Sequence, residues 1–68
     1  MAVARITEFS STSSRSFDDA VQQGVARAAK TLRNVRGARV KRNSAWTSMT
    51  GTITEYQVNL MVTFVLDD

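Results

Sequence analysis

The fold of this chain is decided by residues 52–66, which read TITEYQVNLMVTFVL. A β-strand projects successive side chains to opposite faces, so its two faces are read by taking alternate residues. One face is apolar and consists of Tyr56, Val58, Leu60, Val62, Phe64 and Leu66. The other face carries Glu55, Gln57, Asn59, Met61 and Thr63. The stretch therefore predicts a long strand with one core face and one neutral, amide-bearing face that is available for function.

Length and composition limit what this chain can be. Its 68 residues predict a single domain, residues 1–68, and a domain of this size buries only about 60% of its unfolded surface. The chain has no cysteine and no histidine, which excludes disulfides and removes the usual zinc ligands, nucleophiles and general bases. We therefore expect a binding protein and not an enzyme, stabilised by association with other copies of itself.

The sequence also predicts where the protein works. The sequence contains no run of about 18 apolar residues, so no membrane span is predicted. Residues 1–9 are too short and too polar for a signal peptide. The expectation is a cytoplasmic protein with no membrane partner.

The residues before the deciding stretch predict two further strands and one helix. Residues 3–9 predict a first strand, and residues 10–16 predict a connector rich in serine. Residues 34–46 predict a second strand, followed by a turn over residues 47–51. The predicted fold class is α+β, in the order β-α-β-β, with a three-stranded antiparallel sheet wrapped on one helix.

The helix is predicted to begin at Ser16, where Ser16-Phe17-Asp18-Asp19 resembles a capping box. Gly24 within the helix indicates either a close approach to another backbone or a tolerated irregularity that costs ~1 kcal/mol. Apolar residues recur at spacings of three or four, at Phe17, Val21, Val25, Ala28 and Leu32. The predicted core between helix and sheet consists of Val21, Val25, Leu32, Val40, Leu60, Val62 and Phe64.

A single helix covers one face of such a sheet and leaves the other face and the strand edges open. A closed oligomer would cover them. Five basic residues, Arg33, Arg36, Arg39, Lys41 and Arg42, also fall within ten positions, although the net charge is only +3. This basic strand is either a solvated face or a surface for phosphate or nucleic acid.

Four segments resemble the dodecins, small flavin-binding proteins of β-α-β-β fold that assemble into hollow dodecamers. The similarity extends over nearly the whole chain and lies in the order, spacing and length of segments 11–13, 16–21, 26–36 and 56–64. The resemblance implies a homododecamer that stores or carries a flavin, FMN or riboflavin.

In that family, tryptophans of the second strand stack on the flavin rings, and a glutamine of the last strand bonds their polar edge. The resemblance places Gln57 at the glutamine position and Gly37 at the tryptophan position. It therefore implies a variant that lacks the stacking tryptophan and binds flavin with reduced affinity, because an aromatic platform contributes about 0.5–1.5 kcal/mol beyond its area. The implied site is lined by Gln57, Gly37, Arg36 and Arg39.

Several alternatives remain open at this point. Strict alternation places Trp46 on the side opposite Gly37, where a subunit contact is favoured, whereas a bulge near the turn would make it a displaced stacking platform. The ligand would then be a weakly held flavin, a phosphorylated cofactor such as coenzyme A, nucleic acid on the basic strand, or none in a purely structural assembly. Calcium ranks lower, because carboxylates are few near the predicted site.

Overall fold

One helix and three strands make up residues 3–66, the part of the chain that the computed structural model describes. The strands are β1, Val3–Ser13, β2, Val35–Thr47, and β3, Ile53–Leu66, and the helix is α1, Phe17–Thr31. The sheet order is β1-β3-β2, and both pairings are antiparallel. The predicted β-α-β-β fold with a three-stranded antiparallel sheet on one helix is confirmed.

The deciding strand, β3, lies at the centre of the sheet. Val58, Leu60 and Val62 are fully buried, while the residues between them remain partly exposed. Leu60 is paired with Phe9 of β1 and with Val40 of β2. The predicted alternation of β3 is therefore correct, and it fixes which face of each neighbouring strand looks toward α1.

The first strand is longer than the sequence predicts. Residues 10–13 continue β1 and pair with β3, so Ser11 lies opposite Val58 and Ser13 opposite Tyr56. The prediction of a connector over residues 10–16 was wrong, because a long central strand offers backbone partners that outweigh the turn preference of serine. Only three residues, 14–16, then join β1 to α1.

Serine and aspartate side chains fix the start of α1. Ser16 is the N-cap, and its Oγ accepts a hydrogen bond from the Asp19 backbone N–H at 3.0 Å. The Asp19 carboxylate does not complete the capping box; it accepts from Ser13 Oγ at 2.6 Å and from Gln23 Nε2 at 2.5 Å. The Ser13 hydrogen bond lowers the pKa of the Asp19 carboxyl most, with Gln23 and Arg15 acting in the same direction against desolvation.

Small residues bring the helix close to the sheet. Ala20, Gly24 and Ala28 are its buried residues, each one turn from the next. A Cβ on Gly24 would lie 2.6 Å from Leu60 Cδ1 and 3.0 Å from Ser11 Cβ. Gly24 therefore marks a close approach between α1 and the sheet, one of the two interpretations of this glycine.

The predicted core is only partly correct. Leu60 and Val62 are fully buried, and Val21, Val25 and Leu32 pack against them partly exposed, as Phe64 is. Val40 does not belong to the core, because 43% of it is exposed. It shares the face of Leu60, but α1 packs mainly on β1 and β3 and leaves this side of β2 uncovered.

Candidate functional site

A bulge in β2 decides which side chains share the face of the sheet opposite α1, called here the helix-free face. Arg39 pairs with Met61, but Arg42 pairs with Asn59, so one extra residue enters β2 between Val40 and Arg42. Beyond this point the parity of β2 is reversed. Trp46 therefore pairs with Glu55 on the helix-free face, and the strict-alternation assignment of Trp46 to the other side was wrong.

A chain of hydrogen bonds crosses all three strands on this face. The Trp46 indole Nε1–H donates to Gln57 Oε1 at 2.9 Å, and Gln57 Nε2 donates to Ser10 Oγ at 3.1 Å. We call these three residues the Gln57 bridge. Trp46 remains 56% exposed and Gln57 is half-buried. The bridge thus holds an amide and an aromatic ring side by side on an open surface.

A second polar chain lies next to the bridge and neutralises Glu8. Lys41 Nζ lies 3.3 Å from Glu8 Oε1, and Asn59 Nδ2 donates to Glu8 Oε2 at 3.3 Å. Within residues 3–66, Arg36, Arg39 and Arg42 make no ion pair. Their charges are therefore available to an anion along β2.

The predicted site residues do not meet within one chain. Gly37 pairs with Thr63, six residues along β3 from Gln57, which is a separation of about 20 Å. Arg39 pairs with Met61, four residues and about 13 Å away from Gln57. Arg36 lies in a second bulge, between Val35 and Gly37. A site that uses both Gln57 and Gly37 therefore needs two copies of the chain.

Sequence reasoning did not identify Ser10 and Ser44 as neighbours of Gln57, and it kept Trp46 only as an alternative. Ser44 is the partner of Gln57 on β2, and Ser10 and Trp46 form the bridge with Gln57. Arg42, two residues from Gln57 in the register and about 7 Å along the sheet, is the nearer arginine. The available signal was the long spacing from Gly37 to Gln57, which indicates an extra residue but not its position.

The helix-free face is a surface and not a pocket in the single chain. A cavity of about 320 Å³ lies elsewhere, beside Leu32 and Phe64 at the C-terminal end of α1. Binding sites usually enclose most of a ligand's surface, so the helix-free face would hold a ligand firmly only when covered. Amide, hydroxyl, indole and guanidinium groups suit this face to binding a polar ligand.

Residues 3–66 contain neither a cluster of metal-binding side chains nor a membrane-spanning helix. No group of three or more acidic, histidine or cysteine side chains is placed to hold a metal ion there. In the same part of the chain, no helix has the length and apolar character needed to cross a bilayer.

Comparison with known proteins agrees with the fold and the length of the chain. The sequence profile of the family described as Dodecin matches residues 3–67. The chain belongs to the dodecin family. Among solved structures, Thermus thermophilus dodecin with one tryptophan replaced by phenylalanine is 35% identical, with each chain covered over its full length and a TM-score of 0.91. Dodecin from Streptomyces davaonensis is 31% identical, with 98% of this chain and 97% of that chain covered and a TM-score of 0.91.

A more distant relative widens the range of ligands in the family. The calcium dodecin of Mycobacterium tuberculosis, described as calcium-chelating, is 28% identical over 96% of this chain and 91% of that chain, with a TM-score of 0.81. No curated protein sequence matches the chain. Dodecins are binding proteins and not enzymes, which confirms the expectation from the missing histidine and cysteine. The family binds flavins or other small ligands as homo-oligomers.

Proposed function

We propose that this dodecin forms a hollow homododecamer that binds and stores a flavin, riboflavin or FMN, on its helix-free face. The observation that carries the proposal is the half-buried Gln57 amide, held between Trp46 and Ser10 on an otherwise open sheet. An amide both donates and accepts hydrogen bonds, as the polar edge of a flavin ring requires. Membership of a flavin-binding family supports this choice of ligand.

Assembly is part of the proposal because the single chain is incomplete. The sheet extends along a molecule 53 Å long, whereas the 15 residues of α1 span about 22 Å. Ile6 and Trp46 are 56% exposed on the helix-free face, and Val40 is exposed on the other side. Apolar surfaces of this kind are commonly covered by a partner. Further copies of the chain would cover them and would bring Gly37 of one copy toward Gln57 of another.

The position at Gly37 bears on affinity. A Cβ added there would meet no atom within 4 Å, so the chain offers space but no aromatic surface at the place where the family resemblance expects a tryptophan. We expect the native protein to bind flavin more weakly than a variant with an aromatic ring at this position. Gly37, Arg36 and Arg39 are then contributed by one copy and Gln57 by another.

The unpaired arginines favour a ligand that carries phosphate. Arg39 and Arg42 lie on the helix-free face without an ion pair among the described residues. FMN or another phosphorylated cofactor such as coenzyme A would meet them, and the preference for FMN over riboflavin should decrease as salt is added. Nucleic acid is the weaker candidate, because single-strand binding relies on several stacked aromatic rings and β2 supplies one.

The test begins with the purified protein. Its absorption spectrum, followed by mass spectrometry of any released small molecule, identifies a bound flavin directly. Riboflavin fluorescence quenching then compares wild type with Gln57→Ala, which should weaken binding by about 0.5–1.5 kcal/mol. Asn59→Ala is the matched control, since Asn59 is an amide on the same face whose side chain bonds Glu8. An equal loss of riboflavin affinity in Gln57→Ala and Asn59→Ala, or no fluorescence quenching by the wild-type protein, would contradict the proposed site.

A further inference from the structure

The orientation of the Gln57 amide is the feature that carries an inference beyond flavin binding. The oxygen and the nitrogen of a glutamine amide exchange places on a half-turn about its last torsion, which has two nearly equivalent settings. An exposed glutamine without partners would therefore present either atom to a ligand. On the helix-free face, Gln57 has one hydrogen-bond partner on each side, and the two partners differ in which orientations of the amide they accept.

Trp46 is the partner that permits only one orientation. An indole N–H donates and cannot accept, so it must face the amide oxygen. The Trp46 Nε1 atom now lies 2.9 Å from Gln57 Oε1. If the amide turned, its N–H group would take the place of this oxygen and would face the indole N–H, so two donors would oppose each other. A serine hydroxyl both donates and accepts. Ser10 would therefore bond the amide in either orientation, although it now accepts from Nε2 at 3.1 Å.

We infer that Trp46 is a positioning residue that locks the Gln57 amide and thereby selects the ligand edge. The locked amide has its oxygen toward β2 and its nitrogen toward β1. One lone pair on the oxygen and one N–H on the nitrogen remain for a ligand. The matching edge carries a hydrogen-bond donor on the β2 side and an acceptor on the β1 side, as a ring imide does with its N–H beside a carbonyl.

This inference rests on the proposed function, and paired probes test it. Riboflavin carries the imide N–H, and 3-methylriboflavin replaces it with a methyl group on the same ring. Wild type should prefer riboflavin by about 2- to 10-fold, the effect of one hydrogen bond. Because the two probes differ only at this ring nitrogen, their ratio cancels any general change in the packing of the rest of the ring.

Two variants distinguish the lock from a merely structural role. Trp46→Phe keeps an aromatic ring but removes the donor, so the amide is free to turn and the preference should fall toward one. Ser10→Ala removes the partner that bonds the amide in either orientation, so both probes should bind more weakly while the preference between them stays at the wild-type value. An unchanged preference in Trp46→Phe, measured in an assembly of wild-type size, would overturn the inference.

A measurement without ligand keeps the test independent of the flavin proposal. The chain has a single tryptophan, so isotope-labelled tryptophan gives one indole N–H signal whose exchange with solvent can be timed. Exchange should be slow in wild type and in Gln57→Glu, which keeps an acceptor, and faster in Gln57→Ala. Equal rates in all three would overturn the lock. Slow exchange of the indole N–H would support the fixed orientation of the Gln57 amide even if neither riboflavin nor 3-methylriboflavin bound. In that case flavin would be rejected as the ligand, together with the ligand edge inferred here.

Discussion

Gly24 lies where α1 is closest to the sheet, and replacing it with alanine tests that spacing. At an exposed helix position, alanine in place of glycine stabilises a helix by about 1 kcal/mol. At Gly24 the new Cβ would lie 2.6 Å from Leu60 Cδ1 and 3.0 Å from Ser11 Cβ. Because overpacking a filled core costs about 1–3 kcal/mol, we expect Gly24→Ala to lower the free energy of unfolding by up to about 2 kcal/mol.

The assay is chemical denaturation at one fixed protein concentration, because subunit dissociation contributes to the apparent stability of an oligomer. Ala26→Gly, at an exposed position of α1, is the matched control and measures the intrinsic cost of glycine in this helix. Leu60→Val removes the atom that the new Cβ would meet, so Gly24→Ala should cost less in that background, with a coupling of about 0.5–3 kcal/mol. If Gly24→Ala raised the free energy of unfolding by as much as Ala26→Gly lowers it, the close packing at Gly24 would be refuted.

Three other changes have defined outcomes. Leu60→Ala should lower the free energy of unfolding by ~2–5 kcal/mol, since this side chain is fully buried; a denaturation loss below about 1 kcal/mol would mean that the faces of β3 are reversed. Gly37→Trp should bind riboflavin more tightly than wild type in a quenching titration, because the position is open; no gain in an intact assembly would reject the platform argument. The Ser13 hydrogen bond keeps the pKa of the Asp19 carboxyl below its ordinary 3.8, so ionised Asp19 stabilises the fold above that value and this stability is lost as pH falls through the lower folded-state pKa. Asp19→Asn should therefore flatten the dependence of the denaturation midpoint on pH below about 4, and an unchanged dependence would argue against this role.

The parts of the fold that follow from local pattern were predictable from sequence. Alternation identified Val58, Leu60 and Val62 as one face of β3, and all three are fully buried. Ser16 is the N-cap of α1 as predicted, and Gly51 lies in the β2–β3 connection with a φ of +88°, in the left-handed region that favours glycine. These features depend on neighbours in sequence, which is the information that a pattern contains.

The candidate site was harder to predict because it depends on register. Residues 41–44 are all polar and give no alternation, so nothing in them indicated that a bulge lies between Val40 and Arg42 and turns Trp46 toward Gln57. The extension of β1 over residues 10–13 depends on pairing with residues 56–59, more than 40 positions away in sequence. Alternation placed Gln57 on the open face, and the bulge that the sequence left open as an alternative places Trp46 beside it.

The central claim is that twelve copies of this chain form one particle that binds flavin on its helix-free faces. Native mass spectrometry of the purified protein, with and without added riboflavin, tests the assembly and the ligand together. We predict a particle of twelve 7.5 kDa chains, about 90 kDa in mass before ligand is counted, that gains the mass of bound riboflavin and loses that gain in Gln57→Ala. A stable monomer, or a twelve-subunit particle that gains no mass with riboflavin, would contradict the account.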